Sequence, residues 1–350
     1  MKRIAFDLRC LPADGSAGAG IAHAARELFC ACIEEASHFD LECVGYVMGD
    51  AEASGSGTVR RLASSSSRSS LWKAVREDGC DAVFAPTGSV SIGCPLPSFV
   101  WVHDVEIFSH PEWFPQSRFQ RYFTTHVFLQ SLRRARHVFC VSEDTRNNVL
   151  RLIPSLDKRV SVTREGVETP VVIKTLDERC DQVLIMGTVE PRKNISFISN
   201  VWPEVCRRVK RPVKLIIAGK DGWGKVEIPA EEHLLRFRDV SDAERDRLIG
   251  ESRLVLVPSW HEGFGRVALE GMAHGTPVIA SDRGAHPEVV GDGGILLDPT
   301  DREGWIEAIT RLLMNQEDWR QMQEKGRARA QSFSWKEVAE GMLAVIAKSC

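Results

Sequence analysis

No apolar run in this 350-residue sequence approaches the roughly 20 residues that span a bilayer, so a membrane-crossing helix is not expected. The first stretch, MKRIAFDLRCLPADG, reads as a short strand and a turn without the apolar centre of a secretory signal, and a cytoplasmic location is expected. Charge is nearly balanced at −3, which gives no overall electrostatic drive toward nucleic acid. Ten cysteines are scattered without a CxxC pair or a Cys/His set at zinc spacing. Most fall in apolar segments and read as reduced, small hydrophobes of a cytosolic protein. There is no Ser/His/Asp triad spacing, no HExxH, no P-loop and no DxD after a strand, so an aspartate-bridged metal site is not indicated.

What is present is an alternation of short apolar strands and helical segments. RIAFDL, LECVGYVM, DAVFAP, SFVWVHD, HVFCVS and RVSVT read as strands, with helices near Ile21–Glu35, over RFQRYFTTHVFLQSLRRAR and over EDTRNNVLRLI. The serine-rich stretch ASGSGTVRRLASSSSRSS reads as a surface loop. Proline and charge in EGVETPVVIKTLDERC mark a boundary, after which the pattern restarts with QVLIMG, NISFISNVWPEVCRRV, VKLIIAG, SDAERDRLIGES, RLVLVPS and PVIAS. The fold class is therefore α/β, with two parallel-sheet domains over residues 1–168 and 169–333. The last helix, 334–350, suits either half and is expected to pack back on the first.

Candidate chemistry gathers where strands of the second half end. In HEGFGRVALEGMAHGTPVIAS, Glu262 precedes a helix that starts near Arg266, and Glu270 lies about one turn inside it. Free N–H groups at such a helix start favour an anion, and ionised carboxylates accept hydrogen bonds from ligand hydroxyls. A phosphate flanked by two hydroxyl-rich groups, a nucleotide sugar, fits that order; a surface helix with an acid favouring its dipole fits it as well. In GTVEPRKN, Arg192 and Lys193 also stand at a helix start, where cations are disfavoured unless an anion is near. AGKDGWG is another glycine loop at the same sheet edge. In the first half, DGSAGAGIAH has its glycines spaced as GxxGxG, which is not the dinucleotide fingerprint. His103 and Asp104 end a strand and suit bonding to a ligand or to each other. The helix RFQRYFTTHVFLQSLRRAR, with Arg118, Arg121, Arg133, Arg134 and Arg136 among aromatics, admits two readings. One lays it on an anionic membrane; the preferred one packs its aromatics inward.

Together, EGFGRVALE and the following GMAHGTPVIASDRGAHPEVVGDGGILLDP resemble the family-4 retaining glycosyltransferases, whose fold is GT-B, two Rossmann-like domains facing across a cleft. GTVEPRKN, LIIAGKDGWG, VHDVEIFSHPEWF and FCVSEDTR fall in that family's order. The resemblance implies that Glu262 holds hydroxyls of the transferred hexose and Glu270 the ribose diol. It implies that backbone N–H groups from Gly263 through Phe264, Gly265 and Arg266 to Val267 face sugar and phosphate. Lys193, helped by Arg192, would neutralise the diphosphate, with the Gly18–Gly20 loop approaching it from the first domain. His103 would touch the donor sugar, and backbone near Val240 the base. Gly187 and Thr188 stand where many members carry Gly-Arg, a second diphosphate cation, so either Arg192 substitutes for it or the site is less positively charged.

The implied activity is metal-independent transfer of a hexose, with retention, from a nucleotide diphosphate sugar to a glycan or lipid-linked saccharide. The GTxEPRKN form resembles a branch rich in mannosyltransferases of bacterial surface polysaccharides, including lipopolysaccharide, so GDP-mannose is the first donor expected. No cofactor and no nucleic acid are implied, and peripheral membrane contact is. Two other readings are a non-hydrolysing nucleotide-sugar epimerase, for which no acid/base cluster is seen, and a non-catalytic sugar-nucleotide sensor, which the intact set of cations and acids disfavours.

Overall fold

The computed structural model describes residues 1–13, 20–53, 58–62, 68–90, 93–229 and 233–350, with only the backbone at Arg68, Ser69 and Arg118. It divides into two units. Unit 1 comprises Met1–Ser109, Gln116–Gly166 and Ser334–Cys350, and unit 2 comprises His110–Pro115 and Val167–Phe333. Among the described residues no helix is long and apolar enough to cross a membrane.

Unit 1 runs β1 (Lys2–Asp7), α1 (Gly20–Glu35), β2 (Leu41–Met48), β3 (Thr58–Leu62), α2 (Arg68–Glu77), β4 (Ala82–Ala85), β5 (Ser98–Val102), α3 (Glu106–Ser109), α4 (Arg118–Arg134), β6 (His137–Cys140), α5 (Glu143–Leu152) and β7 (Val160–Val162). The strands form one sheet in the order β3-β2-β1-β4-β5-β6-β7. All pairs are parallel, as in Ile4 beside Cys43 and Phe84 beside Phe99. Strands covered on both faces need apolar residues at successive positions, and β4 and β5 are buried throughout. Phe6, Phe29, Phe84, Phe99 and Phe139 fill one side, and Tyr46, Val83, Val100 and Leu132 belong to the core on the other.

Two expectations for unit 1 are corrected. The serine-rich stretch is not all loop: Thr58–Leu62 pairs in parallel with β2, and Arg68–Glu77 is helical. Backbone pairing at the sheet edge holds TVRRL in place without an apolar run. The aromatics of α4 do not all pack inward either: Phe119, Tyr122 and Phe123 face solvent, and only Phe128 turns to the core.

Unit 2 runs β8 (Gln182–Met186), α6 (Ile195–Val209), β9 (Lys214–Ala218), β10 (Leu234–Phe237), α7 (Asp242–Glu251), β11 (Leu254–Val257), α8 (Arg266–Ala273), β12 (Val278–Ser281), α9 (His286–Val290), β13 (Ile295–Leu297), α10 (Arg302–Met314) and α11 (Gln316–Ala330). Its parallel sheet has the order β10-β9-β8-β11-β12-β13, so chain order reverses beside β8. Ligands of such sheets bind at the carboxyl ends of strands flanking that switch. Trp202, Trp305 and Trp319 are fully buried in its core. Arg179 is also buried there, and its guanidinium donates to the carbonyls of Lys174, Ser252, His274 and Gly275 while lying 5.2 Å over the Trp319 ring. Burial pushes its pKa down to about 10. α12 (Trp335–Ser349) returns to unit 1 and packs against α1.

Candidate functional site

The carboxyl ends of β8, β9 and β11 converge in unit 2. After β8 the chain takes a positive φ at Gly187 (130°), and after β9 at Gly219 (137°). The two loops touch there. A side chain on Gly219 would put Cβ 2.2 Å from the Gly187 carbonyl oxygen, so only glycine fits. Pro191–Lys193 forms a single 3₁₀ turn, closed by Asn194 in the left-handed conformation. Asn194 Nδ2 donates to the carbonyls of Pro258 and Pro299, and Trp260 N donates to Arg192 O, which ties this turn to the end of β11. The two cations thus stand just ahead of α6, on a fixed turn.

That tie brings Arg192, Lys193 and Glu262 together. Lys193 Nζ lies 2.5 Å from Glu262 Oε1, Ser259 Oγ donates to the same oxygen at 2.7 Å, and Arg192 donates to Oε2 at 3.2 Å. Arg192 also donates to the buried Glu190 and to His261 O. Glu262 is buried. Burial works against its ionisation, but the charges of Lys193 and Arg192 outweigh it and hold the carboxyl far below the usual carboxylate range.

α8 begins immediately afterwards. Gly265 caps it with a φ of 92°, and its carbonyl accepts from the amides of Ala268 and Leu269 at 3.0 and 3.3 Å. Gly263 and Gly265 carry the turn. Phe264 is buried with its ring edge-on to Phe333, so its side chain serves the core while its backbone stays in the loop. Arg266 opens the helix and donates to Glu270 at 3.0 Å, and Val267 follows half-buried. Glu270 is buried, with Arg245 3.8 Å from its other oxygen.

His286 was not singled out from the sequence, yet it sits against this turn. A Cβ on Gly265 would come within 2.7 Å of the His286 ring. His286 Nδ1 is 3.0 Å from the Ser281 carbonyl and from Ser281 Oγ, while buried Nε2 has no hydrogen-bond partner. Burial pushes its pKa down to about 4 against the opposing pull of Glu262. The signal available was a histidine before proline at the start of a five-residue helix, which carries no periodicity.

The other candidates lie apart from this cluster along the chain. Val240 follows β10 and precedes Ser241, the cap of α7. Thr188 packs its methyl where Gly222 leaves room. Gly20 opens α1 in unit 1, and Gly18 lies outside the described residues. His103, also in unit 1, follows β5. Its Nδ1 is 2.9 Å from Glu165 and its Nε2 is 2.8 Å from the Pro86 carbonyl, with the ring tilted over Trp101. Asp104 instead accepts from the Glu106 amide. Residues 110–115 group with unit 2, where the Trp223 indole donates to the Trp113 carbonyl and Phe114 packs on the Trp223 ring.

Known proteins resemble this chain in sequence and in fold. Residues 180–315, which include Lys193, Glu262 and Glu270, match the family described as Glycosyl transferases group 1. The O-antigen chain mannosyltransferase B of Escherichia coli is 31% identical over 252 residues, covering 67% of this chain and 65% of that protein. The chain thus spans just under two thirds of that relative's length. The alpha-maltose-1-phosphate synthase of Mycobacterium tuberculosis is 31% identical over 262 residues, covering 65% of this chain and 67% of that protein. Among solved structures, HepE of Anabaena in complex with UDP-glucose superposes over the full length of both chains with a TM-score of 0.72 at 17% identity, a likeness of fold. With the two parallel Rossmann-like sheets of the GT-B type, these matches show that the chain belongs to the group 1 glycosyl transferases.

Proposed function

We propose that this protein transfers a hexose, with retention, from a nucleotide diphosphate sugar to a hydroxyl of a glycan or lipid-linked saccharide. The observation that carries the reading is the Lys193–Glu262–Arg192 cluster at the carboxyl edge of β8 and β11, just ahead of the helix whose first turns carry Glu270. A ligand with phosphates for the cations and hydroxyls for the two carboxylates satisfies all four groups. On donor binding, Lys193 and Arg192 turn from Glu262 to the diphosphate, and Glu262 accepts hydrogen bonds from the hexose. As the anomeric carbon–oxygen bond breaks, negative charge grows on the leaving phosphate, where these cations and the first-turn amides of α8 stabilise it. The acceptor oxygen bonds the same face of the anomeric carbon, and its proton passes to the departing phosphate oxygen. The positive charge comes from side chains, with no metal ion or cofactor in the reaction, and the chain works in the cytoplasm.

Mannose from GDP-mannose is the first choice of donor, supported by the mannosyltransferase relative. UDP-glucose is the second, supported by the ligand of HepE. A thermal-unfolding screen against GDP-mannose, UDP-glucose and dTDP-glucose decides between them, because a ligand bound to the folded state raises apparent stability by mass action. GDP-mannose is expected to give the largest shift and to release GDP when a saccharide acceptor is added. No shift with any of the three rejects the reading. A shift without release of nucleoside diphosphate leaves a sensor rather than a transferase.

A further inference from the structure

Glu190 is 1% exposed, yet it contacts no ligand in the proposed transfer. It stands between β8 and the turn that carries Arg192 and Lys193. Its carbonyl closes that turn by accepting from the Lys193 amide at 3.0 Å. The glycine loop after β9 encloses it. Val189 and Asp221 pair as a short parallel bridge, and the Gly222 amide donates to the Val189 carbonyl at 3.0 Å. A Cβ on Gly222 would meet the Thr188 methyl at 2.5 Å and Glu190 Cβ at 3.4 Å. Gly224, at a φ of 76°, leaves room for the Pro191 ring, which a Cβ would approach within 2.7 Å. The loop thus packs its bare backbone on Glu190 and Pro191 and screens the carboxylate from water.

Glu190 Oε1 accepts from Arg192 at two nitrogens, Nε at 3.0 Å and Nη2 at 2.8 Å. Nη1 faces the other way, donating to the His261 carbonyl at 2.8 Å and to Glu262 at 3.2 Å. The guanidinium is therefore anchored on the side away from Glu262, and its contact with Glu262 is longer than that of Lys193. Two carboxylates, Glu190 and Glu262, face two cations, Arg192 and Lys193, so the cluster carries no net formal charge. In a buried setting the charge of Glu190 acts on any anion held by these cations.

We propose that Glu190 is a positioning residue that sets the preference of this site for a sugar nucleotide over a bare diphosphate. It acts through Arg192. Its carboxylate stays on the guanidinium when Glu262 is released, which fixes that cation where leaving-group charge grows. It also cancels the excess positive charge that would draw in small anions. A donor offers hydroxyls to Glu262, and pyrophosphate has none to offer. The inference rests on the transfer reading.

The test compares the affinities of inorganic pyrophosphate and of the donor by isothermal titration calorimetry, alongside initial rates of transfer. GDP-mannose serves as donor, or whichever of the three donors the thermal screen selects. Glu190→Gln leaves two cations against one carboxylate, and pyrophosphate is expected to bind on the order of tenfold more tightly. In the same variant kcat is expected to fall roughly tenfold with donor KM little changed, because Arg192 is no longer fixed for the transition state. Glu190→Gln combined with Arg192→Gln restores the balance of charge. Its pyrophosphate affinity is expected to return to about that of the wild type while transfer stays slow. A role confined to holding the fold would weaken both ligands in the single variant and leave the double variant no better. Either of those results, or wild-type pyrophosphate affinity in Glu190→Gln, overturns the proposal. A wild-type chain that binds none of the three donors instead rejects the transfer reading, and the preference proposed here falls with it.

Discussion

Glu262 is the residue on which the site turns, because both of its oxygens are occupied by groups that a substrate would claim. Losing one charge-assisted hydrogen bond costs about 1.5–3 kcal/mol, so Lys193→Ala and Glu262→Ala should each slow nucleoside diphosphate release at least tenfold in initial-rate assays. Lys193→Ala should also lower the unfolding free energy in urea by about 3 kcal/mol, since it strips a buried carboxylate of its nearest cation. Unchanged rates in either variant would remove these residues from the reaction. His286 gives a pH signature. Its folded pKa of about 4 lies below the ordinary value of 6.5, so between those values the unfolded chain holds a proton that the folded chain refuses. Stability therefore falls with falling pH across that window, by about 1.4 kcal/mol per unit from this residue, and its contribution is constant above and below. Urea titrations of wild type and His286→Leu should differ in slope by that amount. The paired glutamates and the Arg192-Lys193 dipeptide were readable because motif spacing carries them. His286 was not, because its place is fixed by the close approach of Gly265 rather than by any pattern along the chain.

At the level of elements, the central strands were legible and three edges were not. β3, β10 and β13, the strands missed from the sequence, each end a sheet. Edge strands are paired on one side only and need no continuous apolar run, and TVRRL and LLRF carry arginines that a central strand would exclude. α4 was legible as a helix, but its orientation was not. Aromatic residues occur on both its faces, so composition does not say which face meets the core. The start of α8 gives the prediction at this scale. Gly265→Ala places a Cβ against the His286 ring and forces a left-handed residue, at about 1–2 kcal/mol for the backbone alone with the clash in addition. Chemical unfolding should show a loss of at least that size, and donor affinity should fall with it as the helix end shifts. An alanine variant as stable as the wild type would mean that the turn relaxes freely.

For the whole molecule, two separate cores predict two unfolding events in calorimetry. The final helix belongs to the first of them, although its apolar stripe alone suits either sheet. Trp335, Val338, Met342, Leu343 and Ile346 are buried where α12 joins unit 1. At roughly 1.5–3 kcal/mol for each large apolar side chain, their burial rivals the whole stability of a domain. Removing residues 334–350 should abolish the unit 1 transition and leave that of unit 2, and the donor nucleotide should raise only the latter. A single transition that shifts as one would contradict this independence. The clamp on Glu262 also has a bearing on life among the simple ions of a cell. Inorganic phosphate or sulfate would have to pull two cations from their carboxylate and could offer it no alcohols in exchange, whereas a sugar nucleotide brings both halves of the trade. If the proposed donor binds here, the resting pairs of Lys193 and Arg192 with Glu262 compete with it, and any anion that lacks hydroxyls competes at a disadvantage.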